Sequence, residues 1–450
     1  MELNDVILVS TDDHVIEPPD LFSANVPQRY RAQAPRVVTL ANGEERWEFD
    51  GKLLATVGSA AVAGRSRDER HLEPSNFSDM RRGCWDPVAR AQDMSVNGTL
   101  ASVCFATLTG FAGELFLKGQ DKDFMLALLQ AYNDWNIDAW CAAAPGRFIS
   151  VGMLPLWDPA LAADEVRRLA RKGVNAISFP ENCAALGVPT FHKGHWDPVF
   201  DAITEADLAM VIHIGTGGGF RTPSMDSACD VPMCTMNITL ADCAADIVFS
   251  PVPMKYPKLR IALSEGYIGW MPFFKERCDY VYEMHRRWTG ADFKGMKPSE
   301  LIRRHFLLCF TEDEAGVKAR HDIGVETLTW EADYPHADST WPDSPERLWR
   351  SLKDLPDEEI HAITHRNALR FFRFDPFRHI AAKDATVGAL RAAAGAVDTT
   401  PIRDNRGGRS TLDLGNRHLS VGDLAAIGRE LNLGLVSHSS TADKQTGAAA

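Results

Sequence analysis

The sequence predicts an α/β fold, a (β/α)₈ TIM barrel with a β-rich insertion after strand one and a C-terminal extension. Three observations lead there. A short β-rich run followed by an amphipathic helical segment recurs through to about residue 373. No glycine-rich phosphate loop follows the first such run, which disfavours a doubly wound open sheet. Four of the apolar runs end in carboxylates or imidazoles, and in a barrel all strand C-termini open onto one face. A chain of 450 residues suits one large barrel with insertions, or two to three average domains.

In chain order, Val6 to Asp13 reads as the first strand. Residues 20–85 then interrupt the alternation. They carry Asn42-Gly43 and Asp50-Gly51, both hairpin turn signals, beside the alternating Arg46-Trp47-Glu48-Phe49. A small β-rich lid over the barrel mouth is expected there. Seven more strands follow: Thr99 to Thr107, Phe148 to Leu154, Ala176 to Phe179, Leu208 to Ile214, Leu259 to Ser264, Phe306 to Phe310 and Thr327 to Asp333. Between them, Gln120 to Ala144 is helix-forming, Asp158 caps a helix that ends at Gly173, and Asp197-Pro198 opens another.

The barrel domain is thus read as residues 1–375 and the extension as 376–450. Within the extension, Arg391 to Gly408 reads as linker and Val421 to Val436 as one amphipathic helix. Its stripe is Val421, Leu424, Ile427, Leu431 and Leu435. That helix is expected either to cross to a second subunit of a homodimer or to fold back on its own barrel. Residues 437–450 are small and polar, and are expected to lack order.

Composition excludes several classes. A net charge of −13 disfavours nucleic acid. The cluster Arg65, Arg67, Arg70, Arg81 and Arg82 is broken by Asp68, Glu69 and Glu73 and reads as a solvated loop. Met1 to Asp5 has two acids and no basic residue, unlike a secretory signal. No stretch approaches the ~20 uncharged apolar residues of a membrane span. Nine scattered cysteines fit reduced thiols, read as structural or incidental, and a cytoplasmic protein.

The chemistry concentrates at four strand ends. Residues two apart on a strand point the same way, so Asp12 and His14 share a side and Asp13 faces the other. His213 stands in the buried run Met210 to Ile214, where a lone imidazole also reads as a core residue. Asp333 ends an apolar strand, with a cap as its plainer reading, and His336 follows at the turn. Glu265 ends Ala262-Leu263-Ser264 as a ligand, an acid/base or an orienting carboxylate. Together Asp12, His14, His213 and Asp333 make a mixed nitrogen and oxygen set for one divalent metal. Zn²⁺, Mn²⁺ and Fe²⁺ all suit it. Lid aromatics Trp47, Phe49, Phe77 and Trp85 suggest a flat or cyclic organic acid as the small-molecule substrate, with Arg81 as carboxylate partner.

The run from Ser10 to Phe22, the motif Asp333-Tyr334-Pro335-His336 and the closing Asn367 to Phe372 resemble the amidohydrolase 2 branch of the amidohydrolase superfamily, related to aminocarboxymuconate semialdehyde decarboxylase. The resemblance covers about residues 5–375. It implies a barrel with one metal, held by the strand-1 pair Asp12 and His14, the strand-5 His213 and the strand-8 Asp333. Many relatives carry His or Glu at the place of Asp12. The related decarboxylases carry a histidine after strand six, where this chain has Glu265. No lysine ends strand four, which disfavours a bridged two-metal site.

Two reactions share these ligands. In a hydrolase, Asp333 takes a proton from metal-activated water, with Glu265 and His336 as outer acid/base groups. In a non-oxidative decarboxylase of an aromatic or unsaturated acid, ring protonation accompanies loss of CO₂. The hydrolase is the first expectation and the decarboxylase its alternative. A non-catalytic metal-binding scaffold is the third reading.

Overall fold

In the computed structural model, residues 1–67, 70, 76–217, 221–403 and 418–430 are described. In chain order the strands are β1 (Val9–His14), the insertion strands β2 (Arg36–Thr39), β3 (Glu45–Phe49) and β4 (Lys52–Thr56), then β5 (Ala101–Phe105), β6 (Phe148–Ile149), β7 (Val151–Gly152), β8 (Ala176–Ser178), β9 (Ala209–His213), β10 (Arg260–Ser264), β11 (Phe306–Phe310) and β12 (Leu328–Trp330). All eight sequence-predicted barrel strands are present: Phe306–Phe310 has the expected bounds, the first starts later and runs on to His14, Phe148 to Leu154 is split in two, and the others are shorter.

The parallel ladder runs β6-β5-β1-β12-β11-β10-β9-β8-β7. Its two ends are halves of a single strand, parted only by Ser150. Phe148 registers with Ser102 on one side and Val151 with Ala176 on the other, so the ring closes through this broken strand. Both faces of the wall are buried, which explains why the strands read as nearly continuous apolar runs. Val9, Val103, Ile149, Val211, Ala262 and Leu307 fill the barrel interior. Their neighbours one residue away, such as Leu8, Met210, Ile212, Ile261 and Leu308, pack outward against helices.

Those helices begin and end where their side chains dictate. The Asp158 carboxylate accepts from the Ala160 and Leu161 amides at the start of helix Pro159–Lys172, and Gly173 closes it at φ +84°. Helix Asp197–Glu205 opens on Asp197-Pro198, as the sequence reading expects. One run, Asp230–Val248, is long and apolar enough to cross a membrane by length and composition. Here it is broken into three helical pieces, and Leu240, Ala244 and Ile247 of the last piece lie in the core outside the wall.

The insertion carries the antiparallel sheet β2-β3-β4. Asp50 and Gly51 both take positive φ (52° and 70°), as a tight two-residue hairpin turn requires. Trp47 on β3 is buried in the same apolar cluster as Val15, Phe22 and Trp341. The insertion is tied to the last strand's loop, because the Val62 and Ala63 amides both donate to the Pro335 carbonyl.

The extension departs from the linker expected of it. Residues 376–393 fold on the barrel as two short turns and a helix, Val387–Ala393. Thr386 caps that helix, and its apolar pair Val387 and Leu390 is buried. A side chain at Gly98 would lie 2.8 Å from Val387 Cγ1, so the missing Cβ makes the seat for Val387. The tail helix Val421–Glu430 packs on its own chain. The Val421 and Gly422 amides donate to the Ser227 and Met225 carbonyls, and Val421 and Ala425 are buried. Of the expected stripe, Val421 is thus seated on its own chain, as the fold-back expectation has it, while Leu424 is half-buried. The physical reason is local: the loop after β9 offers free carbonyls and an apolar seat within reach. Leu431, Leu435 and residues 437–450 lie outside the described residues.

Candidate metal centre

The site forms where β1, β9, β10 and β12 end. A register shift in β1 between Ser10 and Asp13 breaks the alternation that runs from Val9, and it brings Asp12 and His14 into the barrel mouth with Asp13 turned outward. There the Ser10 hydroxyl and the Tyr334 amide donate to Asp13 Oδ1. Arg90, wholly buried, fixes the strand end from behind. It donates to the His14 and Gly83 carbonyls and lies 4.2 Å from the Tyr334 ring centroid.

Asp12, His14, His213 and Asp333 are each fully buried or nearly so and converge on one point. His14 Nε2 is 3.4 Å from both Asp12 Oδ1 and Asp333 Oδ1. His213 Nε2 is 3.2 Å from Asp12 Oδ2 and 3.2 Å from His14 Nε2. His213 Nδ1 lies 2.7 Å from the Ile214 carbonyl, which as an acceptor leaves Nε2 with its lone pair for a cation. Two imidazole nitrogens pointed at each other are a poor hydrogen bond and a good pair of ligands. Glu265 Oε2 stands 3.5 Å from His213 Nε2. His336 stacks on His14 with centroids 3.7 Å apart, and its Nδ1 is 3.1 Å from Asp333 Oδ1.

All four carboxylate oxygens of Asp12 and Asp333 are buried with no hydrogen-bond partner. A buried carboxylate without donors is costly. Two of them facing two imidazoles is an arrangement that one divalent cation satisfies, and the donor set fits it.

The electrostatics follow from crowding. Burial raises the Asp12 carboxyl, against the pull of His213. Asp333 is driven well above the usual carboxylate range by burial, then by the charges of Glu265 and Asp12. Burial pushes Glu265 up to about 8, with His213 opposing and Asp12 reinforcing. His213 is desolvated, but the Asp12 carboxylate overcomes that and holds it at about 9. His336 is pushed down to about 3 by burial, then by the charge of His213, so it is neutral. The backbone carries strain at the same places: Asp333 and Glu265 sit at φ 49° and 60°, left-handed conformations that side chains other than glycine rarely adopt.

The structure gathers Asp12, His14, His213, Asp333, Glu265 and His336, six of the eight residues singled out from sequence. Arg81 and Trp85 are elsewhere. The Arg81 guanidinium is held by both oxygens of Asp93 and by the Asp398 carbonyl, and stacks 4.0 Å from the Trp341 ring. Trp85 packs edge-on against Phe77. Neither touches the metal ligands, because the insertion turns that stretch toward the Asp93 helix.

Sequence reasoning missed three neighbours. Phe111 lies 4.8 Å from the His14 ring and 4.2 Å from the His213 ring. Glu331 on the turn before Asp333 approaches the Cys309 thiol at 2.5 Å and accepts from the Glu265 amide. Asp12, Cys309 and Glu331 form a second buried cluster beside the first, so Cys309 is not incidental. Only Glu331 carried a signal in the sequence, as a carboxylate inside an apolar run.

Comparison with known proteins agrees with this geometry. The amidohydrolase family model (Amidohydro_2) matches residues 45–374. A 2-amino-3-carboxymuconate-6-semialdehyde decarboxylase of Dictyostelium discoideum is 25% identical over 309 residues, which is 68% of this chain and 81% of that protein. In fold, the chain is similar to an amidohydrolase from Mycobacterium avium subsp. paratuberculosis K-10 (TM-score 0.64, 17% identity, 82% of this chain and 99% of that one). It is also similar to the 5-carboxyvanillate decarboxylase of Novosphingobium aromaticivorans, solved with manganese and 4-hydroxy-3-methoxy-5-nitrobenzoic acid (TM-score 0.57, 18% identity, 83% and 99% covered).

Proposed function

Because this chain belongs to the amidohydrolase family, we propose that it is a metal-dependent, non-oxidative decarboxylase of an aromatic or unsaturated carboxylic acid. The hydrolase, placed first from the sequence alone, gives way to this alternative. One observation carries the choice: Glu265, a buried carboxyl that desolvation raises above the usual range, stands 3.5 Å from His213 Nε2 beside the ligand cluster. The decarboxylases among the similar proteins support the same reading.

Asp12, His14, His213 and Asp333 hold the divalent cation. When bound, the cation would supply Lewis-acid stabilisation of negative charge on the substrate. The chain's own groups do the rest. Loss of CO₂ breaks the ring-to-carboxyl bond and leaves its electron pair on the ring carbon. A proton must arrive there, and Glu265 is the group loaded to deliver it. His336, neutral and stacked on His14, keeps Asp333 oriented. Phe111 presents an apolar ring beside the two imidazoles, which suits a flat substrate and excludes water.

Arg70, unlike Arg81, is tied to the loop after Asp333. Its Nη atoms donate to the Ala337 and Ser339 carbonyls in the loop after Asp333, while its Nε is buried without a partner.

The test uses protein loaded with Mn²⁺ and a panel of hydroxybenzoates, unsaturated dicarboxylates and lactones, with evolved CO₂ measured. In D₂O the product should carry one deuterium at the vacated carbon. Lactone opening without CO₂ would return the hydrolase.

A further inference from the structure

The foot of the barrel, opposite the metal centre, holds a cavity of about 300 Å³ where β10 and β11 begin and the turn into β12 runs. Five arginines line it: Arg260, Arg303, Arg304, Arg370 and Arg373. The buried side chains of Phe306, Leu307 and Phe371 give the same cavity an apolar lining. Such a concentration of positive charge stands out in a chain of net charge −13.

Two carboxylates answer the five arginines. Glu326 pairs with Arg303, and Asp207 pairs with Arg260 and Arg373. Arg304 reaches only the Met296 sulfur, and Arg370 donates to the Glu326 carbonyl and the Asn367 side chain. Neither has a carboxylate partner among the described residues. Helices Pro298–His305 and Asn367–Phe372 both end here, and the partial negative charge of their last carbonyls accounts for arginines in their last turns. It does not account for Arg260, which opens a strand. Arg260 Nε and Nη1 are buried with no hydrogen-bond partner. A buried donor without an acceptor is destabilising, and a guanidinium cannot shed its proton to escape.

We propose that this cavity binds a phosphate monoester with an apolar or flat organic body. A monoester dianion has three terminal oxygens and can accept from several guanidinium forks at once, where a carboxylate has two. Inorganic phosphate would leave the apolar lining bare, and an organic group on the ester oxygen covers it. The site is separate from the metal centre. Arg260 opens β10 and Glu265 follows its far end, roughly 16 Å along the strand.

Calorimetric titration of the Mn²⁺-loaded, full-length protein with phenyl phosphate tests the proposal. One site per chain with a Kd below about 1 mM is expected. Inorganic phosphate should bind at least about tenfold more weakly for want of the ring. Arg304→Ala and Arg370→Ala, both at exposed positions, should each weaken phenyl phosphate by at least about fivefold, with unchanged far-UV circular dichroism and unchanged Mn²⁺ binding. Metal-free protein should bind it within about twofold of the loaded form. Four results overturn the proposal. They are no saturable binding up to about 10 mM, full affinity in the Arg304→Ala, Arg370→Ala double variant, binding that disappears with the Mn²⁺, and inorganic phosphate as tight as phenyl phosphate. The third would place the anion on the metal, and the fourth would make the cavity the seat of an adventitious ion only.

Discussion

Two buried carboxylates, Glu165 and Asp333, are treated in opposite ways. Glu165 lies between helices Lys122–Trp135 and Pro159–Lys172. Its two oxygens accept from Gln130, Asn133 and both Nε and Nη2 of Arg168, at 2.7 to 3.1 Å. At the barrel mouth, Asp333 has no donor on either oxygen and faces Asp12, Glu265 and Glu331 instead. A fold satisfies its buried charges where it can. It leaves them unsatisfied, and crowded with like charge, where a cation is to bind. Structural and functional carboxylates are therefore told apart by their partners, not by their burial.

The largest expected effect comes from removing the functional one. Asp333→Asn should lower decarboxylation by at least about 10³-fold while leaving the metal-free protein as stable as wild type or more so, since a charge without donors is gone. If its metal-free melting temperature fell as far as a Glu165 variant's, the two carboxylates would not differ in kind. Glu165→Ala sharpens the contrast from the other side. It leaves the Gln130 and Asn133 amides without their acceptor and Arg168 held by Asp134 alone, and should cost about 2 kcal/mol in denaturant unfolding, with kcat/KM per folded molecule within about twofold of wild type.

Metal affinity should climb with pH. In the metal-free protein His213 titrates at about 9, and Asp333 holds its proton well above the ordinary carboxylate range. Each must deprotonate to ligate, so protons compete with the cation below those values and lose as pH rises. Competition titration of Mn²⁺ at pH 6 and pH 8 should show a tightening of at least about 100-fold, one proton's worth over two units. A flat profile would mean that these groups are already ionised in the free site.

The smallest effect concerns Glu17, which accepts from the Thr107 and Leu108 amides. Burial raises its carboxyl from 4.5 to about 7, against those two hydrogen bonds. The folded state thus holds this proton more tightly than the unfolded chain does. The stabilisation is complete below pH 4.5 and is lost as pH rises toward 7. In Mn²⁺-loaded protein, Glu17→Gln should flatten the fall of melting temperature between pH 5 and pH 7. An unchanged slope would place Glu17 with the fully satisfied carboxylates.

Much of this was legible without coordinates. A strand must alternate its side chains, so Asp12 and His14 had to face together and Asp13 apart. A parallel barrel must open all its strand ends on one side, so His213, Glu265 and Asp333 had to join them. Turn chemistry at Asp50-Gly51 and the cap at Asp158 are local, and the chain reads them off its own backbone. What only the tertiary structure decided depends on side chains meeting across long sequence separations. Arg81 looked available until both oxygens of Asp93 and the Asp398 carbonyl held it. Cys309 looked inert until Glu331, twenty-two residues on, turned toward it. The docking of helix 387–393 left no mark in the sequence, because the seat for Val387 is a missing Cβ at Gly98, nearly three hundred residues away. Periodicity and turn geometry act within a few residues, and a sequence displays them. Which donor reaches which acceptor first is settled by packing, and no local pattern records it.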